Sequence, residues 1–190
     1  MIPEFLRTAI GQPGPLQRCA RLIRTQLLVT AVAAVAAGSL ANVSEGQAAP
    51  LATVPLVLLY NSRGALQPLA KADGKPMVVN LWATWCPPCR AEMPALAQAQ
   101  KEHPEINVVF VNQGESPEVV QEFLAETRVH VRNLMFDDHQ LLVRAVGVKA
   151  YPATLFYDAL GRLVKSHYGG FSRTTFEEAL RAAFPTISGG

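Results

Sequence analysis

From Met77 to Trp82 every residue is apolar except Asn80, and a second run, Ile106–Asn112, is apolar through its centre. Continuous apolar runs of this length lack the alternation of a half-solvated strand and predict strands covered on both faces. Weaker strand signals surround them. Leu56–Tyr60 and Ala65–Leu69 lie either side of the turn Asn61-Ser62-Arg63-Gly64 and predict an N-terminal hairpin. Asp73-Gly74-Lys75-Pro76 is a further turn, leading into Met77. Val129–Phe136 holds a short strand. Ala153–Tyr157 and Leu163–Tyr168 flank Asp158-Ala159-Leu160-Gly161-Arg162 as a closing hairpin.

Helical segments fill the gaps. Cys86 to about Lys101 reads as helix, and Pro94 within it predicts a kink because proline has no N–H for the helical ladder. Ser116-Pro117-Glu118 combines a cap residue, proline at the first helical position and an acid in the first turn, predicting a helix to about Thr127. His139–Val146 is helical and stops at Gly147. Ser172 or Thr174 caps a last helix to about Phe184. The order β-β-β-α-β-α-β-α-β-β-α predicts an α/β domain, a mixed sheet with helices on both faces.

Charge changes the picture at the N-terminus. Residues 1–48 carry Arg7, Arg18, Arg21 and Arg24 against Glu4 and Glu45. Of 17 basic and 15 acidic residues in the chain, the rest therefore holds 13 of each, which speaks against nucleic acid as a partner. Thr25–Ser44 has no charged residue, and a span of about 20 residues can just cross a bilayer as a helix. Arginine before it and none just after is the positive-inside arrangement. The same features, with the small residues Gly46-Gln47-Ala48, describe a cleaved signal peptide. The chain thus divides into a basic segment (1–24), an anchor or signal segment (25–44), a linker (45–55) and a folded domain (56–190). Either export reading puts that domain outside the cytoplasm, where disulfides persist.

Three cysteines are present: Cys19, Cys86 and Cys89. Cys19 precedes the apolar span, and Leu16-Gln17-Arg18 before it is not a lipid-attachment sequence. Cys86 and Cys89, three apart, do not form a structural framework, which would join distant segments. They suit dithiol chemistry, which needs one reactive thiolate and a second thiol close by. A helix N-terminus at Cys86 supplies unpaired N–H groups and a positive dipole end that lower its pKa. Cys89, one turn in and more buried, stays protonated until it resolves a mixed disulfide. Pro87 and Pro88 fit a helix start because their missing N–H groups would be unpaired there anyway.

Other uses of the pair fit less well. Zinc needs two further ligands, and no second CxxC exists. A c-type haem attachment needs histidine where Arg90 stands. A peroxidase of the peroxiredoxin kind wants Pro and Thr or Ser at the places of Val79 and Ala83. No metal site and no cofactor is expected. His103, His130, His139 and His167 share no ligand spacing and read as surface residues.

The segment Asn80-Leu-Trp-Ala-Thr-Trp-Cys-Pro-Pro-Cys-Arg-Ala-Glu-Met-Pro94 resembles the active-site segment of the thioredoxin superfamily, most closely its membrane-tethered TlpA/ResA-like thiol–disulfide oxidoreductases. Val108–Asn112 with Gln-Gly-Glu-Ser, Val146–Thr154 and Leu155–Gly170 carry the likeness over about residues 56–184. The resemblance implies a thioredoxin fold: a central mixed sheet flanked by helices, with an N-terminal β-hairpin and a central inserted α/β segment. It implies a cis Pro152 packed against the CxxC, with Tyr151 offering backbone groups to an extended client segment. Trp85, Pro87 and Pro88 would line that client surface; for Trp85 the other reading is core packing. Thioredoxin keeps a buried aspartate where this chain has Asn80, which accepts no proton. TlpA/ResA-like proteins have a glutamate three residues after the second cysteine, here Glu92, to take the Cys89 proton. Glu115 is a second candidate for that role.

The implied activity is reduction of client-protein disulfides, with apocytochrome c or copper-site proteins as client types. A membrane thiol transporter of the CcdA/DsbD type would recycle the dithiol. The implied place is the periplasmic side of a bacterial inner membrane, anchored through residues 25–44, or the soluble periplasm after signal cleavage. A disulfide-donating oxidase and a non-enzymatic copper or haem delivery module are the alternatives.

Overall fold

The computed structural model describes residues 52–69 and 73–185. The basic segment, the apolar span, Cys19 and most of the linker lie outside the described residues. Among the described residues, no helix is long and apolar enough to cross a membrane.

The elements follow the expected order: β1 (Leu58–Asn61), β2 (Leu66–Pro68), β3 (Met77–Trp82), α1 (Pro87–Glu102), β4 (Asn107–Gln113), α2 (Pro117–Thr127), β5 (Leu134–Asp137), α3 (Leu141–Val146), β6 (Ala153–Tyr157), β7 (Leu163–Tyr168) and α4 (Arg173–Ala183). They build one seven-stranded sheet in the order β2-β1-β5-β4-β3-β6-β7. β3, β4 and β5 run parallel, as crossovers through α1 and α2 require. The two hairpins, β1/β2 and β6/β7, pair antiparallel at the sheet's ends. β1 also runs antiparallel to β5, and β6 to β3.

β3 is buried at all six positions, as its unbroken apolar run requires. Its alternate residues feed two cores. Val78 and Trp82 pack with Met93 and Leu96 of α1, Phe123 of α2, and Phe176 and Leu180 of α4. Met77, Val79 and Leu81 pack on the other side with Leu59, Leu142 and Leu155. Each such side chain contributes roughly 1.5–3 kcal/mol on burial. By the same alternation Asn80 points into the first core, so a polar group sits at mid-strand beneath α1.

Two expectations, the end of the linker and the start of α3, need correction. The linker does not run to residue 55. Thr53 bridges Arg162, Val54 N–H donates to Gly161 O (2.9 Å), and the Val54 side chain joins the second core, so these residues belong to the fold. The short strand expected within Val129–Phe136 is β5, which begins at Leu134, and Val129 packs into the first core from the loop before it. α3 begins at Leu141, because the buried Asp137 carboxylate accepts the Leu141 and Leu142 N–H groups (2.7 and 3.0 Å) and fixes the helix start there. α1 runs from Pro87 to Glu102 with Pro94 inside it, over the span expected from the sequence.

Candidate active site

Cys86 caps α1, with extended backbone (φ −93°, ψ 107°), and Pro87 and Pro88 occupy the first helical positions. Its Sγ is bonded to Cys89 Sγ at 2.07 Å and accepts the Cys89 N–H at 3.3 Å. The dithiol is therefore in its oxidised form. Cys86 is 3% exposed and Cys89 0%. With the bond formed both sulfurs are covered, where the sequence led us to expect an open Cys86. The residue that stands out at the surface is Trp85, at 64%. Trp85 is therefore not a core residue. Trp82, three residues earlier, is fully buried.

The strand pairing brings a second loop to the same place. Leu81 near the end of β3 pairs with Ala153 at the start of β6, so residues 151–152 lie at the sheet end that carries the CxxC. The Tyr151–Pro152 bond is cis. The Tyr151 ring meets Trp85 edge-on, centroids 6.0 Å apart, and together they form an aromatic rim beside Cys86. Burial, with the Asp137 charge, pushes the Tyr151 hydroxyl above its usual pKa.

The helix that carries the disulfide also carries a buried carboxylate. Glu92 is on α1, one turn beyond Cys89, and is fully buried. Its Oε1 accepts the Asn80 Nδ2 amide at 2.8 Å, and its Oε2 accepts the Phe171 N–H at 2.9 Å. Asn80 also donates to Thr154 Oγ1 at 3.1 Å. Burial raises the Glu92 pKa to about 7, against the two hydrogen bonds that favour the ionised form. A group so placed changes protonation near neutrality, where a proton acceptor works best.

Glu115 has a different setting. It follows β4, and its carboxylate accepts Thr84 N–H (2.7 Å), the Thr84 hydroxyl and Asn112 Nδ2 (2.7 Å). Arg90 Nη1 reaches Thr84 O at 3.2 Å while its guanidinium lies 4.8 Å from the Phe123 ring centroid. Thr84 is thus held from both sides, immediately before Trp85 and Cys86.

Sequence reasoning missed several participants. Phe171 and Gly169 act through main-chain N–H groups, which no side chain advertises; Gly169 N–H donates to Pro152 O at 2.9 Å. Thr154 is a register neighbour of Asn80, and the strand alignment alone finds it. The histidines are not all surface residues. His103 is half-buried between Glu105 and Glu177 (3.0 and 3.1 Å), which together raise its pKa against the opposing effect of burial. His167 is half-buried because its ring stacks on Phe171, centroids 3.9 Å apart.

Comparison with known proteins agrees with this geometry. The Redoxin family model matches residues 44–182. The chain is 32% identical over 143 residues to the thioredoxin-like protein YneN of Bacillus subtilis, covering 73% of this chain and 80% of that one. It is 28% identical over 130 residues to the thiol-disulfide oxidoreductase ResA of Halalkalibacterium halodurans, covering 67% and 73% respectively. A crystal structure of a thiol:disulfide interchange protein of the thioredoxin family from Chlorobium tepidum superposes with a TM-score of 0.61 at 26% identity. It covers 72% of this chain and 98% of its own.

Proposed function

The chain belongs to the Redoxin family and is a ResA-like thiol–disulfide oxidoreductase of thioredoxin fold, and on that premise we propose that it reduces disulfides in client proteins outside the cytoplasm. The observation that carries the direction is the fully buried Glu92 one turn beyond Cys89. A dithiol that must release a reduced client needs its inner thiol deprotonated on demand, away from water.

The reaction begins from the reduced pair. The Cys86 thiolate, stabilised by the N–H groups opening α1, attacks one sulfur of a client disulfide. A Cys86–client bond forms, the client S–S bond breaks, and the departing client sulfur takes a proton. Cys89 then passes its proton to Glu92 and attacks Cys86 Sγ. The second client sulfur leaves as thiolate and is protonated. The client gains two electrons and two protons, and Cys86–Cys89 becomes the observed disulfide. A client segment approaches over Trp85, Pro87 and Pro88 and pairs with the backbone at Tyr151–Pro152.

Export through residues 25–44, as anchor or cleaved signal, places this chemistry on the periplasmic side of a bacterial inner membrane. Apocytochrome c or copper-site proteins awaiting their haem or metal are the client types the family likeness supports. A CcdA/DsbD-type thiol transporter fits as the electron source.

Equilibrating the protein against a series of reduced and oxidised glutathione tests the direction. A Cys86–Cys89 potential well below that of glutathione is expected; one well above it reassigns the protein as an oxidase. The role of Glu92 is read from the pH dependence of alkylation of both cysteines. Glu92→Gln is expected to change it, and a variant that keeps the wild-type profile removes Glu92 from the mechanism.

A further inference from the structure

Three consecutive residues after β7 each touch a different part of the site. Gly169 N–H donates to Pro152 O at 2.9 Å, and Phe171 N–H donates to Glu92 Oε2 at 2.9 Å. Between them, Gly170 lies against the first turn of α1: a Cβ there would meet Pro88 O at 3.2 Å and Pro88 Cβ at 3.5 Å. The first distance is tighter than ordinary van der Waals contact. The neighbour is helix backbone next to Cys89 and cannot swing aside as a flexible side-chain tip does. Gly170, unlike Gly169 (φ 100°), does not have a positive φ, so the demand for glycine is one of space.

We propose that Gly170 is a positioning residue for Glu92: its lack of a side chain lets the β7–α4 loop close on Pro88 and deliver the Phe171 amide to the carboxylate. This rests on the reading of Glu92 as proton acceptor. The loop has little freedom to absorb an added methyl group elsewhere. Gly169 is tied to Pro152, and the Phe171 ring is stacked on His167 and set edge-on against Phe156 and Phe176. Displacement by a few tenths of an ångström therefore falls on the Phe171 N–H, the donor to Oε2. Losing an N–H donor disfavours the ionised form of a buried carboxylate, so Glu92 would titrate higher and Cys89 would be deprotonated only at higher pH.

Cys89 on α1 is held in the disulfide with Cys86 and carries no titrating thiol in the oxidised chain; His167 on β7 stacks on the ring of Phe171, the residue whose N–H bonds Glu92. Arg90 is turned away, toward Thr84 O and Phe123.

The experiment is a carboxyl titration by NMR on the oxidised full chain carrying carbon-13 at the glutamate carboxyl carbons, with Glu92→Gln identifying the resonance. Gly170→Ala is expected to raise the Glu92 midpoint by about one pH unit, a tenfold change in its ionisation constant. The acid limb of client-disulfide reduction should move with it, and should not respond to Gly170→Ala in a Glu92→Gln background. A folded Gly170→Ala protein with an unmoved Glu92 midpoint overturns the proposal. A moved midpoint with an unmoved rate profile supports Gly170 and instead removes Glu92 as proton acceptor. A second measurement needs no variant at Gly170: the Phe171 amide resonance in the wild-type chain should shift with the Glu92 midpoint and lose that shift in Glu92→Gln. An amide resonance that ignores the Glu92 titration also overturns the proposal.

Discussion

Asn80 Nδ2 lies 2.8 Å from Glu92 Oε1, so a strand residue and a helix residue twelve positions apart share one buried hydrogen bond. Asn80 stands where thioredoxin keeps an aspartate. The amide there supports the Glu92 carboxylate as a donor without competing for its proton. On the proposed function, Asn80 holds the carboxylate and Glu92 accepts the proton, so the two tasks fall to two residues.

Asn80→Asp would place two carboxyl groups in contact. Both cannot ionise at that distance, so the pair would hold one proton well above the ordinary carboxylate range. An unpaired buried charge costs on the order of 3–5 kcal/mol. The variant should lose about that much stability at pH 8 and much less at pH 5, measured by denaturant unfolding with the disulfide intact. Equal losses at both pH values would contradict the shared-proton account.

Glu92 makes stability depend on pH. Its pKa rises from 4.5 to about 7 in the fold, chiefly through burial. A raised folded-state value means that the unfolded chain gives up this proton first. The stabilising contribution is therefore fully present below pH 4.5 and is lost as pH rises to about 7. At about 1.4 kcal/mol per pH unit the swing is about 3 kcal/mol. Glu92→Gln removes it, so the variant should gain about 3 kcal/mol relative to wild type between pH 4 and pH 8. Urea unfolding across that range checks this; a difference that stays flat with pH contradicts the raised value.

These relationships were partly legible in the sequence. Met77–Trp82 announced a doubly covered strand because nothing but Asn80 interrupts it. Ser116-Pro117 announced α2 through the proline's fixed φ. The thioredoxin-type fold and the CxxC position followed from side-chain identities in short order. What stayed hidden runs through the main chain or across long separations. The Phe171 N–H bonds a residue 79 positions away, and the Thr84–Glu115 contact spans 31. Val54 looked like linker because its anchoring bond runs to Gly161 O, a carbonyl in a distant turn.

Glu115 should separate from Glu92 in its effect. Its carboxylate satisfies the Thr84 N–H, the Thr84 hydroxyl and the Asn112 amide. Glu115→Ala leaves these donors unpaired, at about 1–3 kcal/mol for each that water cannot reach. The segment leading into Trp85 and Cys86 then loosens, and client reduction slows. Because Glu92 and its donors are untouched, the midpoint of the pH–rate profile should stay where it is in wild type. A shifted midpoint would return Glu115 to the role of proton acceptor.

Trp85 contributes little to the fold, and on the proposed function it contacts the client. At 64% exposure its truncation removes no core packing, so Trp85→Ala should change stability by less than about 0.5 kcal/mol. Its ring meets Tyr151 edge-on beside the cis Pro152 loop, where an extended client would lie. Loss of an aromatic anchor in a protein contact costs about 2 kcal/mol, roughly thirtyfold in affinity. Reduction of a disulfide-bonded protein client should therefore show a KM raised by about that factor with kcat nearly constant. A small disulfide too short to reach the ring should be reduced at the wild-type rate. If both substrates slow equally, Trp85 acts on the chemistry of Cys86 and not on the client.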